Sequence, residues 1–399
     1  MTASLLKMRG GIGAVSGVRL AGVHAGIKPR KRDLALLVFD APQACAAVIT
    51  TNEIKAAPLL VTQAHLKKSG TAMRALVCNS GCANAASGER GVRDARATAR
   101  QAAALLNVGL EQVAVASTGV IGVFLPMDRI QRGLERAVGQ LESGGKSAHD
   151  AAEAIMTTDR VPKMAAYGFY RGKKKYVVGG IAKGSGMIAP SMATMLAFVA
   201  TDLPLSQAAL QRVLRAAVDE SFNMISVDGD MSTNDAVYAF ARSGRASAPP
   251  DFAQALRHVC LDLAQAMVAD GEGATKVLTM RVSGARTVAQ ARAIARAVIN
   301  SNLVKTALYG EDPNWGRVLS SAGSARCGMD PRTWSLSLNG KAWVEREGIE
   351  ALSEAEAHRE LEETNVTMEL HLGLGSAEAT GWCCDISRDY VRINASYRT

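Results

Sequence analysis

Aromatic side chains make up only 5% of the 399 residues, too few for the stacked platforms that grip single-stranded nucleic acid. Proline is scarce as well, at 11 residues against 37 glycines, and no repeat or low-complexity tract stands out. The six histidines (24, 65, 149, 258, 358 and 371) are scattered without ligand spacing. Seven cysteines (45, 78, 82, 260, 327, 383 and 384) contain no paired C-x-x-C, and Cys78 and Cys82 lack partnering histidines. Reduced, mostly buried thiols follow, with no zinc cluster and no disulfide framework. Neither G-x-G-x-x-G nor G-x-x-x-x-G-K occurs, so no nucleotide cofactor is indicated. The longest apolar run, 187–200, contains Pro190 and is too short to span a bilayer. The first 23 residues imitate a secretory signal poorly, because their apolar stretch is short, glycine-rich and interrupted by Arg19. A soluble cytoplasmic protein is expected, with no membrane and no nucleic-acid partner.

What is present is a chain that is 48% hydrophobic with a formal charge of +9. That length and apolar content can bury a large core in two domains or one split one. The charge favours anionic ligands, small carboxylates as much as phosphates. Its densest runs, 28–32 and 173–175, are short and border strand-like segments, so they read as solvated turns. Alternation and β-branched runs predict strands near 34–40, 46–51, 75–79, 113–117, 176–182, 194–200, 223–228, 235–241, 276–283, 335–338 and 366–371. Apolar stripes predict helices over 91–106, 127–142, 148–156, 206–220, 251–269, 287–300 and 354–363. Ser206, Asp251, Thr287 and Ser353 are the expected N-caps, the last with Glu356 in capping-box spacing. Asp312-Pro-Asn-Trp-Gly reads as a turn and helix start that packs behind the site. Strands and helices mix without strict alternation, an α/β (α+β) pattern. A soft boundary near 285 separates a larger α/β domain, 1–285, from a smaller C-terminal α/β domain, 286–399.

The most informative stretch is Lys183-Gly-Ser-Gly-Met-Ile-Ala-Pro-Ser-Met-Ala-Thr-Met-Leu-Ala-Phe, which joins a glycine hinge to an apolar strand. Ala-Thr-Met alone reads as a core threonine. If the bond before Thr194 is cut, however, the new α-amine, with a pKa of about 7.7–8.0, can serve as base to the hydroxyl beside it. The three aspartates at 228, 230 and 235 have a loosely metal-like spacing but no EF-hand register, and turn-forming and buried hydrogen-bonding roles are preferred.

Further blocks accompany that stretch: Ala25-Gly-Ile-Lys28, Asn79-Ser-Gly-Cys-Ala-Asn84, Ala116-Ser-Thr-Gly-Val-Ile-Gly122, Met156-Thr-Thr-Asp159, Ser226-Val-Asp-Gly-Asp-Met-Ser-Thr-Asn-Asp235, Asp270-Gly-Glu-Gly-Ala-Thr-Lys276, Gly310-Glu-Asp-Pro-Asn-Trp-Gly-Arg317 and the terminal Asn394-Ala-Ser-Tyr-Arg-Thr399. Together they resemble the ornithine acetyltransferase family, also called the glutamate N-acetyltransferases of arginine biosynthesis, over nearly the whole chain. The resemblance implies a layered αββα-type sandwich similar to N-terminal-nucleophile hydrolases but differently connected. It implies self-cleavage between Ala193 and Thr194 into α (1–193) and β (194–399) chains, with Thr194 as nucleophile and Thr118 and Gly119 as oxyanion hole. Thr157, Lys183, Thr194, Glu272, Asn394 and Thr399 would bind substrate, with no metal and no organic cofactor. The implied substrates are N-acetylornithine and glutamate, with acetyl-CoA as an alternative donor, in an α2β2 assembly. A related self-processing amidase or aminopeptidase is the alternative.

Overall fold

A computed structural model describes residues 5–189 and 195–396. Along the chain run β1 (Leu6–Met8), β2 (Val18–Val23), β3 (Leu34–Ile49), α1 (Ala57–Ser69), β4 (Met73–Cys82), α2 (Gly88–Leu106), β5 (Val113–Val120), α3 (Met127–Gly139) and α4 (Gly145–Ile155). Then come β6 (Lys163–Arg171), β7 (Lys174–Lys183), β8 (Leu196–Leu205), α5 (Gln207–Asp219), β9 (Ile225–Ser226), β10 (Ala236–Ser243), α6 (Pro250–Ala269) and β11 (Val277–Ala285). The chain finishes through α7 (Val288–Ile299), α8 (Asn302–Tyr309), α9 (Trp315–Ser324), β12 (Ser335–Leu338), β13 (Lys341–Val344), α10 (Glu354–Leu361), β14 (Asn365–His371), β15 (Ala377–Cys384) and α11 (Arg388–Ser396).

The first sheet runs β1-β6-β7-β8-β10-β3-β4-β5, with β2 also on β3. Sequence patterning splits β3 into two strands, whereas the structure has one 16-residue strand. The reason lies at Asp40, Ala41 and Pro42, which break the apolar pattern where the register shifts between Val38 and Gln43. On one edge β3 pairs first with β2, through 34–39, and then with β10, through 43–49. Proline has no N–H to give a ladder, so it suits this irregular crossing.

The bend folds the sheet over itself. Ala35, Leu37 and Phe39 of β3 share a core with Leu196, Phe198 and Ala200 of β8 and with Ala236, Tyr238 and Phe240 of β10. Alternate residues point the other way. Leu34, Leu36 and Val38 pack under Ala95 and Ala99 of α2 and Ile130 and Leu134 of α3. Val237 and Ala239 pack under Leu210 of α5 and Leu256 and Val259 of α6. The result is a helix, sheet, sheet, helix stack, which is the expected αββα sandwich, and it explains why these strands are apolar on both faces. Across the middle layer the Phe39 and Phe240 rings lie 4.7 Å apart, each worth about 1.5–3 kcal/mol of burial.

A second sheet, β13-β12-β14-β11-β15-β9, carries its own core under α7, α8, α9 and α10. β9 and β11, which both precede the break drawn at 285, pair within this sheet, β11 with β14 and β15 and β9 with β15. Three expected caps form: Ser206 accepts from Ala209 N, Thr287 from Gln290 N, and Ser353 makes its capping box with Glu356. Asp251 does not cap, because α6 already starts at Pro250 and Asp251 lies in the first turn. Asn314 caps α9, so the Asp312–Trp315 stretch is a helix start, with Trp315 against the second core. All seven cysteines are free and six are buried. Among the described residues no helix is long and apolar enough to cross a membrane.

Candidate active site

β5 and β7 end, and β8 and β10 begin, at one end of the sandwich, and a pocket of about 170 Å³ opens there. Thr118, Gly119, Thr157, Lys183, Glu272 and Asn394 all line it. Residues 118, 157, 183, 272 and 394 come from five separate parts of the chain. Thr194, Ala193 and Thr399 lie outside the described residues.

Lys183, the last residue of β7, is 2% exposed. Its ammonium donates to Thr157 Oγ1 at 2.8 Å and, at the longer 3.5 Å, to Thr118 Oγ1. Burial pushes the ammonium below its ordinary value, and Asp159, 3.9 Å away, opposes that. Asp159 is the anchor of this wall. It accepts from Lys163 Nζ at 2.7 Å, Gly184 N at 2.7 Å and Thr157 N at 3.0 Å. Burial would raise its carboxyl, but Lys183, Lys163 and these hydrogen bonds outweigh it and hold the value at about 2. Lys163 reaches on to Asp270 at 2.7 Å, tying the 156–159 loop to the turn that carries Glu272.

Thr118 and Gly119 sit where β5 runs beside β4. Gly119 has φ +126, and a Cβ there would collide with the Gly81 carbonyl carbon, so only glycine fits. Behind the pair, Asn234 donates to Ser117 O at 2.8 Å and to Ala83 O at 2.7 Å. Ser117 Oγ donates to Asn79 at 2.6 Å. This brace fixes the end of β5 from two sides.

Opposite Lys183, the pocket turns acidic. Glu272, 8% exposed, donates its N–H to Ser185 O and accepts from Asn394 Nδ2 at 2.8 Å. Gly186 lies so close that a Cβ would stand 2.5 Å from the Glu272 carboxyl carbon. Asn394 is presented by α11, whose first turn is held by Ser387 donating to Gly273 O at 2.6 Å. Asp228 accepts from Met187 N and Ile188 N, and from the Tyr390 hydroxyl at 3.3 Å. Burial raises the Asp228 carboxyl against the pull of those backbone bonds. The fully buried Lys305 fastens the strand leading to it by donating to Ser226 O and Val227 O.

Sequence reasoning did not assign Thr158, Asn234, Asp230 or Tyr390 to the pocket, which they also line. Asn234 and Tyr390 each stand within the motif blocks or four residues from Asn394, the one signal that could have drawn attention to them. The aspartates at 228 and 235 act as backbone acceptors, at Met187, Ile188 and Met195.

Fold and site define a layered α/β protein with a pocket that is cationic on one wall and acidic on the other, suited to a small zwitterionic ligand. A model of the ArgJ family matches residues 19–399. The chain belongs to the ArgJ family. It is 47% identical over 403 residues to the arginine biosynthesis bifunctional protein ArgJ of Symbiobacterium thermophilum, covering 98% of this chain and 99% of that one. It is 42% identical over 406 residues to the protein of the same name from Bacillus anthracis, covering 100% and 99%. A solved structure of ornithine acetyltransferase complexed with ornithine, from Mycobacterium tuberculosis, matches with 42% identity and a TM-score of 0.43, over 47% of this chain and 99% of that chain.

Proposed function

We propose that this protein moves the acetyl group of N-acetylornithine to glutamate by ping-pong catalysis through an acetyl-Thr194 intermediate, after cutting itself between Ala193 and Thr194. The observation that carries the reading is the convergence of Thr118, Gly119, Thr157, Lys183, Glu272 and Asn394 on one pocket. Membership of the ArgJ family and the names of relatives 42–47% identical to the chain support it.

In this reading the freed Thr194 amine takes the proton of its own hydroxyl, which attacks the acetyl carbonyl. Thr118 accepts a hydrogen bond from Lys183, which leaves its own O–H to donate to the oxyanion together with Gly119 N–H. Each such donor is worth about 2.7–4 kcal/mol. The Lys183 ammonium has three donors, and two already go to Thr157 and Thr118, so the third pairs with the substrate α-carboxylate while Thr157 bonds the bound amino acid. Glu272, held by Asn394, accepts from the substrate's amine, and Thr399 closes the pocket from the chain end. Ornithine leaves and glutamate's amine collects the acetyl group. No metal or organic cofactor takes part. Acetyl-CoA serves as an alternative donor, which fits the word bifunctional in the relatives' names. The two fragments work as a cytoplasmic α2β2 assembly, with 286–399 as the domain that closes the site.

Incubation with N-acetylornithine labelled in its acetyl group tests the reading. Label on glutamate supports it. Label released only as acetate would make the protein an amidase.

A further inference from the structure

The loop between β2 and β3 is cinched from within. Asp33, fully buried, accepts from Ala25 N, from Gly26 N at 3.1 Å and from Lys28 N at 2.8 Å, and its own N–H donates to Val23 O at 2.9 Å. Three backbone donors on one carboxylate leave the loop little freedom. Arg32 ties the same loop to the end of α4 through Glu153 at 3.1 Å. Patterning reads 28–32 as a solvated turn, and Arg30 and Lys31 are exposed as expected, but Lys28 is half-buried and turns inward. Its stem crosses Gly81, where a Cβ would stand 2.9 Å from Lys28 Cγ. Gly81 pairs with Gly119 in the β4–β5 ladder. The Lys28 ammonium then donates to Met156 O at 3.0 Å. The peptide unit between Met156 and Thr157 is therefore held on both edges, its carbonyl by Lys28 and its N–H by Asp159 at 3.0 Å. A peptide unit is planar, so these two bonds fix where Thr157 begins, and Thr157 Oγ1 is the atom that accepts from Lys183.

Resting on the reading that Thr157 and Lys183 take the bound amino acid, we infer that Lys28 is a positioning residue for that pocket: it straps the 156–159 loop to the strand pair that carries Gly119, and so sets how tightly a carboxylate-bearing substrate binds. Lys28 touches no substrate and acts through the Met156 carbonyl. The contact that it steadies is present in the substrate complex and in the transition state alike, so its loss weakens binding and leaves the chemical step alone. The charge on Lys28 is conditional on pH. Burial lowers its ammonium to about 8; Asp33 and Asp159 oppose that, while Lys31 and Lys183 add to it. The Cys78 thiol of β4 also faces it, and burial pushes that thiol up, so it stays neutral. As pH rises through about 8 the ammonium loses its proton, and the charge-assisted bond to Met156 O becomes a neutral one, roughly half as strong.

The test is steady-state transfer of labelled acetyl from N-acetylornithine to glutamate by the purified wild type and two variants. Lys28→Met keeps the stem over Gly81 and loses the donor; Lys28→Arg keeps a charge that does not titrate. For Lys28→Met, KM for N-acetylornithine is expected to rise about tenfold while kcat stays within about threefold, with cooperative melting near the wild-type temperature. Wild-type KM should rise severalfold between about pH 7 and pH 9, where N-acetylornithine keeps its carboxylate ionised and its amine protonated; Lys28→Arg should lack that step. A Lys28→Met enzyme with the wild-type KM, or one that loses kcat at unchanged KM, overturns the strap and leaves the transfer reading intact. A wild type that transfers no label overturns that reading and this inference with it. If Lys28→Met does not melt cooperatively, Lys28→Arg decides: a KM near the wild-type value at about pH 7 that stays level to about pH 9 supports the strap, and any other profile sinks it.

Discussion

Replacing Asp159 with asparagine should be the most damaging isosteric change in the site wall. The carboxylate is fully buried and receives three hydrogen bonds, from Lys163 Nζ, Gly184 N and Thr157 N, with Lys183 at 3.9 Å. Asparagine keeps the volume but loses the charge, and its amide hydrogens would face a donor. Two buried ammonium groups, on Lys163 and Lys183, would then share less negative charge. Breaking a buried pair from one side costs about 3–5 kcal/mol, and that is the expected loss in urea unfolding of the purified protein. The pH dependence follows from the same contacts. The folded carboxyl titrates at about 2 and the ordinary one at 3.8, so Asp159 contributes fully above the ordinary value, and the contribution is lost as pH falls through the folded one. That depression is worth about 2 kcal/mol, and the variant should lack this acid-side loss. A destabilisation under about 1 kcal/mol would refute the claim that this carboxylate organises the wall.

Two further outcomes can be checked on the same footing. Gly186→Ala would press a methyl group to 2.5 Å from the Glu272 carboxyl carbon; Glu272 must move, and the KM for substrate should rise severalfold or more with a smaller change in melting temperature. Asn234→Ala removes the donors to Ser117 O and Ala83 O. With two buried carbonyls unpaired it should cost about 2–4 kcal/mol, and kcat should drop more than about tenfold because Thr118 loses its brace.

Much of this architecture can be read locally. Ser206, Thr287 and Ser353 cap because their side chains bond within three residues, and alternation in β8 and β10 is visible without any partner. Features set by distant partners are not legible in the same way. The unity of β3 depends on β2, β4 and β10 bridging a polar interruption. β6, whose aromatics are interrupted by Ala165, Ala166 and Gly168, is a strand because β7 pairs with it along its whole length. α11 is mostly polar and is placed by Ser387 and Glu272. Lys183 could be named from its motif, but its bond to Thr157 and the Asp159 that steadies it arise only when β7 meets the 156–159 loop. Asn234 and Tyr390 escaped assignment for the same reason, since their neighbours in space are remote in sequence.

The most direct measurement is the mass of the fragment that begins at Thr194, taken after brief incubation of the enzyme with N-acetylornithine in the absence of glutamate. The account predicts a fragment heavier by one acetyl group, with the label on Thr194 and lost on adding glutamate. A fragment of unchanged mass in a preparation that still transfers acetyl groups, or active protein consisting only of the uncut chain, would contradict it.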